Sequence, residues 1–318
     1  MKTKRSAISV RLLEQKIFSL LTLVSFLFFF SCQKEMVGNI IQKSSPSSLE
    51  KGILFYSDFE SDIPSPSAPI TGWSQQGPNA DAVKISEEQA YSGSKSVKFT
   101  FNYNDWGGNN IVNGKRAEIL MSPNPVCQKL VLGKVYWVGF SSFIPNDWVN
   151  DYKNNFDIIW QFHSSKNGPG EGNPLEKTGG PPMYAVVSND SIKIYVRPNI
   201  QNGTYLKKLA TIPLIKGEWD KWIVQVKFDY NNGGIFQLWH NDSLIVSYLN
   251  QSTIYHTDWQ KNEDGPYVKF GIYKSQWGNV PTKVKQRVIY YDDIIVGDST
   301  TNYSIIRNKL RGNESIRK

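Results

Sequence analysis

The chain has 318 residues, of which 40% are apolar, 13% aromatic and 20% charged, with 10 Trp. That composition excludes a disordered chain and can fill a sizeable core with aromatic side chains left for a surface. The net charge of +8 sits at the two ends: Lys2, Lys4, Arg5, Arg11 and Lys16 against Glu14, and Arg307, Lys309, Arg311, Arg317 and Lys318 against Glu314. The body, 33–300, is neutral, so overall charge does not support nucleic-acid binding, and any attraction for an anionic partner has to be local.

In chain order, the basic N-terminus precedes an apolar run, "IFSLLTLVSFLFFF" (17–30), and then "SC". Fourteen residues fall short of the roughly 20 that span a bilayer, so 1–31 reads as a secretory signal peptide. Cys32 after a small residue resembles the lipobox of bacterial lipoproteins. The expectation is an exported outer-membrane lipoprotein, periplasmic or cell-surface, lipidated at Cys32 and tethered by 32–50. The remaining cysteine, Cys127, then has no partner for a disulfide, and the fold has to rest on its core.

From residue 51 onward, short alternating runs recur between Gly, Pro, Asn and Asp, with no repeat and no sustained helical period. They are "GILFYSDFE" (52–60), "KSVKFTFNY" (95–103), "KRAEIL" (115–120), "KVYWVGFSSFI" (134–144), "NFDIIWQFH" (155–163), "PMYAVVS" (182–188), "SIKIYVRP" (191–198), "KWIVQVKFDY" (221–230), "GIFQLWHNDSLIVSYL" (234–249), "YVKFGIYKSQ" (267–276) and "RVIYYDDIIVG" (287–297). "NDS" (241–243) sits where a hairpin turn belongs. The stretch 164–182, rich in Gly, Pro and Ser, is long enough to fold over a groove. The pattern predicts an all-β, single-domain sandwich of two antiparallel sheets over 51–300. An appended, mobile or weakly helical tail, 301–318, follows it.

Three of these runs carry one polar face each, since residues two apart on a strand share a side. Arg116 and Glu118 share one, Gln161 and His163 another, and Tyr267, Lys269, Gly271, Tyr273 and Ser275 a third. Only three histidines occur in the chain, so the Gln–His pair carries more information than the others. Gly271 removes a side chain and lets something approach the sheet. Any strand with one wet face shows such alternation; the signal lies in the three together.

In that order "RAE", "QFH" and "YVKFGIYKSQ" resemble the signature strands of jelly-roll polysaccharide lyases, the alginate lyases and the heparin-lyase-I-like and glucuronan-lyase-like groups. The stretch 217–248 is most similar to the heparin-lyase-I-like group, and Ser275 departs from the Gln of the alginate-lyase form. The resemblance covers roughly 52–298. It implies a concanavalin-like jelly roll that cleaves a uronate polysaccharide (glucuronan, alginate or heparin-like) by β-elimination, as a monomer and with no cofactor in catalysis. It implies that Gln161, Arg116 and His163 neutralise the substrate carboxylate and that Tyr273 is the acid and base. His163 is the alternative base in anti elimination. A free tyrosine has a pKa of about 10, so such a base needs cations at hand, here Arg116 and Lys269. Glu118 orients Arg116.

Beside these, Trp106 and Trp277 in Gly-rich loops are candidate sugar-stacking residues, with core packing as their other reading. Lys274, Lys283, Lys285 and Arg287 form a local basic patch. Asp58, Glu60, Asp292 and Asp293, on the first and last strands, can hold a structural calcium. Two other functions compete: a non-catalytic glycan-binding lipoprotein of the same fold, and a glycoside hydrolase. The latter needs two carboxylates across a cleft, and no E-x-D-x-x-E run occurs.

Overall fold

A computed structural model describes residues 51–65, 70–107, 115–121, 130–163, 181–200, 203–204, 206–255, 265–277 and 279–312. The expected signal peptide, Cys32, the tether, Cys127 and nearly all of the 164–182 stretch lie outside the described residues. The strands are β1 (Ile53–Ser57), β2 (Trp73–Gln76), β3 (Val83–Ser86), β4 (Ser96–Asn102), β5 (Arg116–Met121), β6 (Val135–Phe143), β7 (Asp157–His163), β8 (Met183–Val187) and β9 (Ser191–Val196). The two-residue strands β10 (Asn199–Ile200) and β11 (Gly203–Thr204) pair only with each other. Then follow β12 (Lys207–Pro213), β13 (Trp219–Lys227), β14 (Gly234–His240), β15 (Ser243–Gln251), β16 (Tyr267–Tyr273), β17 (Gln286–Gly297) and the helix α1 (Tyr303–Gly312).

Two antiparallel sheets result. The first runs β15-β14-β13-β6-β17-β4-β3, with β1 also on β17; the second runs β12-β9-β8-β7-β16-β5-β2. Alternation builds them: on β9, Ile192, Ile194 and Val196 are buried while Ser191, Lys193 and Tyr195 are half-buried. The inward faces close one core in which Phe140 of the first sheet meets Trp160 and Phe270 of the second. The β14–β15 hairpin turns on Asn241 and Asp242, both at positive φ (46° and 69°), the backbone that a two-residue hairpin turn demands.

The structure departs from the sequence reading in several places. Strands β2, β3, β10, β11 and β12 add to those expected; β2 and β3 are four residues long, β10 and β11 two, and β12 is an edge strand mostly exposed to solvent. Such segments carry little alternation to read. Part of the expected tail is the helix α1, whose Ile306 and Leu310 are buried against Ile53, Trp137, Ile223 and Ile295 on the outer side of the first sheet. The four carboxylates considered for calcium do not gather. Among the described residues no group of three or more His, Cys, Asp or Glu is placed to hold a metal. Glu60 instead accepts the Ser94 and Lys95 backbone N–H groups, Asp292 those of Tyr91, Ser92 and Asp293, and Asp293 the Tyr56 hydroxyl. Asp58 accepts the Glu60 N–H.

Candidate active site

The site face is the side of the second sheet turned away from the core. Register lays its side chains out in rows across the strands. Arg116 on β5 is opposite Tyr273 on β16, which is opposite Ile158 on β7. Glu118 is opposite Gly271 and Gln76. Lys269 is opposite Gln161, which is opposite Tyr184 on β8. Tyr267 is opposite His163.

Two irregularities set this layout. The ladder between β16 and β7 shifts between Phe270 and Tyr273, and that between β7 and β8 shifts at Ile159. On an unbroken β7, Asp157 and Ile159 would share the face of Gln161 and His163. The bulge instead sends Ile159 into the main core with Trp160 and turns Ile158 outward, where it packs with Tyr184, Val186 and Tyr273. Asp157 consequently points inward. Gly271 has φ of 129°, and a Cβ there would lie 2.2 Å from the Ala117 carbonyl oxygen. What approaches Gly271 is therefore the backbone of β5, not a ligand.

The expected site residues fall into three groups. The first is Arg116 with Tyr273: the guanidinium carbon lies 4.6 Å from the centre of the Tyr273 ring, and both side chains are half-buried. The second is a buried cluster behind it. Glu118 accepts hydrogen bonds from Lys269 and, at 2.5 Å, from the Gln161 amide, and pairs with Arg116 at 3.6 Å. Lys269 also donates to Gln76 at 2.8 Å. Lys269 is 1% exposed, Gln161 1% and Glu118 2%, so the two expected donors sit beneath the surface. Charges this deep persist because each has an opposite charge or an amide against it. Gln161 Oε1 and Arg116 Nε are buried with no hydrogen-bond partner among the described residues. The third group is His163 with Tyr267, whose hydroxyl is 3.3 Å from His163 Nδ1. Burial, and then the Glu118 charge, push the Tyr267 phenol up to about 12. Six residues of β16, about 20 Å of strand, separate Tyr267 from Tyr273, so the structure does not bring His163 and Tyr273 together.

Two candidates are corrected. Trp277 is not a sugar platform: it is fully buried, 4.7 Å ring to ring from Phe101, and its indole N–H donates to Thr282. The basic patch is not one face. Lys274 is fully buried between Asp157 (3.1 Å) and Asp151 (3.2 Å) and donates to the Asn155 carbonyl. Arg287 forks onto Asp157, donates to the Val149 carbonyl and lies 4.1 Å over the Trp148 ring. Only Lys283 and Lys285 of the four remain exposed. Trp106 falls in a short 3-10 turn, Tyr103–Gly107, and its side chain is outside the described residues.

Sequence reasoning missed Gln76, which sits on a four-residue strand without clear alternation, and Tyr184, Tyr195 and Arg197. The last two were legible in principle: the alternating Ile, Ile and Val of "SIKIYVRP" set Tyr195 and Arg197 on the site face.

A family model described as polysaccharide lyase matches residues 66–295. Among solved structures the chain is similar to an endo-β-1,4-glucuronan lyase from the fungus Trichoderma reesei, with a TM-score of 0.54 and 19% identity over 76% of this chain and 94% of that one. It is also similar to a marine alginate lyase from Aplysia kurodai, with a TM-score of 0.54 and 10% identity over 77% of this chain and 99% of that one. At such identities the likeness is one of fold, the jelly-roll sandwich. No curated protein matches the chain.

Proposed function

Because the chain belongs to the polysaccharide lyase family, we propose that it cleaves a uronic-acid-containing polysaccharide by β-elimination on the outer face of the second sheet. The observation that carries this is Arg116, ion-paired to Glu118 and laid over the Tyr273 ring beside the amide of Gln161.

The reaction removes the C5 proton, forms the C4–C5 double bond and breaks the bond from C4 to the glycosidic oxygen, which takes up a proton. Charge develops at C5 and on its carboxylate, and donors fixed in advance lower its energy. The half-buried Arg116 offers its guanidinium to a carboxylate oxygen, and Gln161, buried behind it, gives its amide to Glu118. Glu118 and Lys269 hold both donors in place from beneath. Tyr273, as the phenolate, takes the C5 proton and then gives it to the leaving oxygen, with the Arg116 charge stabilising the phenolate that begins and ends the cycle. Side chains supply all of this neutralisation, so the scheme routes no step through a metal.

A second reading rests on the 3.3 Å contact between Tyr267 and His163. There His163 is the base and Tyr267, kept protonated by its raised pKa, is the acid, both working from one side of the sugar.

One experiment separates these. The protein is incubated with glucuronan, alginate, heparin and hyaluronan while the ultraviolet absorbance of the unsaturated uronate is followed. New reducing ends without absorbance mean hydrolysis, and binding with neither means a glycan-binding module. Tyr273→Phe is expected to lose at least a hundredfold in kcat with an unchanged melting temperature. Full activity in that variant, with loss in His163→Asn and Tyr267→Phe, moves the chemistry to the second pair.

A further inference from the structure

The site face extends past Gln161 to a feature that the elimination does not use. Tyr184 lies beside Gln161 in register, and Tyr195 on β9 lies beside Tyr184. The two rings stack at 5.3 Å with an interplanar angle of 18°. Arg197, just past the end of β9, folds its guanidinium over the Tyr184 ring at 5.7 Å. Tyr184 is only 5% exposed, so the guanidinium rests on a fixed base.

This arginine has no anion of its own. Its Nε is buried with no hydrogen-bond partner among the described residues. Two more cations share its side of the face. Lys193 is two residues from Tyr195 on the same face of β9, and Lys208 on β12 is opposite Tyr195. Lys193 donates to the Ser188 hydroxyl. Among the described residues no carboxylate is ion-paired with Arg197, Lys193 or Lys208. In a body whose charges balance overall, three cations without a paired carboxylate on one side of the site, one with an orphaned buried donor, mark a place for an anion.

We propose that Arg197, seated on Tyr184 and Tyr195, is the anion-holding group of a distal subsite, which takes the carboxylate of a uronate several sugars along the chain from the one cleaved. The proposal rests on the lyase reading above and adds the direction of the chain. Neighbouring strands are about 4.8 Å apart, so Arg197 beyond β9 lies roughly 19 Å from Arg116 across four strand steps, and it is also displaced along the strands, level with His163 and not with the Arg116–Tyr273 row. A polysaccharide crossing the face on the diagonal from Arg116 through Gln161 meets Arg197 further along. The enzyme is thereby matched to polymers with acidic groups on successive sugars, with the planar guanidinium fork suited to a carboxylate.

The test uses the full chain carrying Arg197→Gln. On polyglucuronate, KM is expected to rise about tenfold with kcat within twofold of wild type, and the dependence of KM on salt to weaken. On the shortest oligomer that wild type cleaves, both constants are expected to stay put. An unchanged KM on the polymer overturns the subsite, and so does an equal loss on short and long substrates. Should Arg197→Gln lower the melting temperature, Arg197→Lys carries the test, since it keeps the charge and loses the fork; it is expected to recover only part of the KM. If wild type yields no unsaturated product from any polyuronate, the lyase reading has failed. Calorimetric titration with glucuronan oligomers then still decides the subsite, by weaker binding in Arg197→Gln or by no difference.

Discussion

Lys274 follows Tyr273 by one residue, and that step turns its ammonium from the site face to the core. There it lies between Asp157 and Asp151, and burial pushes it below the ordinary lysine range while the two carboxylates pull it back. Removing one partner of a buried pair leaves the other charge stranded, at a cost of 3–5 kcal/mol in comparable sites. Here Asp157 keeps the Arg287 fork and Asp151 keeps the Thr282 hydroxyl, so Lys274→Met is expected to lose about 3 kcal/mol, at the low end, read from urea unfolding midpoints. A second buried charge sets the pH dependence. Burial first, and then the Asp293 charge, push Asp292 up to about 8. Between roughly pH 4 and pH 8 the folded state thus holds a proton that the unfolded state has released. Stability is greatest at the acid end of that window and falls as pH rises, by up to about 1.4 kcal/mol per unit. Melting temperature should drop from pH 5 to pH 8, and Asp293→Asn should flatten the drop. A flat wild-type profile would show Asp292 ionised throughout.

At the scale of elements, the bulges decide which residues reach the site. The Tyr291 hydroxyl, wholly buried on β17 of the opposite sheet, donates to the Ile159 carbonyl at 2.5 Å and so satisfies a backbone group that the irregular ladder leaves to be paired. Gly271 meets the same constraint from the β16 side. Gly271→Ala combines a backbone conformation closed to L side chains with a Cβ driven into the Ala117 carbonyl, and it should cost about 3 kcal/mol or more and lower kcat by shifting Tyr273. Retention of stability in that variant would mean that the ladder can re-register. These bulges also mark where the sequence stops being readable. Strict alternation was enough to find "WQFH" and the hairpin turning on Asn241 and Asp242, because each stretch keeps a period of two. The same rule puts Asp157 on the wrong face, because a bulge is a change of phase with no residue signature of its own. Gln76 and Lys274 were misjudged for related reasons: one sits on a strand too short to alternate, and the other just past a strand end, where burial is set by loops distant in sequence.

For the molecule as a whole, the two sheets divide the work. The second presents the site, and the outer side of the first is covered by α1. The segment 303–312 is too short to show a sustained helical period: Ile306 and Leu310, four residues apart, are fully buried, and Tyr303 and Ile305 pack part-buried beside them. Packing is what stabilises so short a helix. It approaches so closely that a Cβ on Gly139 would lie 2.5 Å from Ile306. Leu310 fills a cluster with Trp137, Ile223 and Ile295, so Leu310→Ala should lose 2–4 kcal/mol, roughly the range for a buried leucine whose surroundings relax only in part. The site residues all lie on the other sheet and share no side-chain partner with this cluster. The variant should therefore unfold at lower denaturant while its kcat and KM on the best polyuronate, measured well below the transition, match wild type. A fall in kcat without loss of stability would show that α1 is coupled to the site through the sandwich, and that the core between the sheets transmits strain that its dense aromatic packing is here taken to absorb.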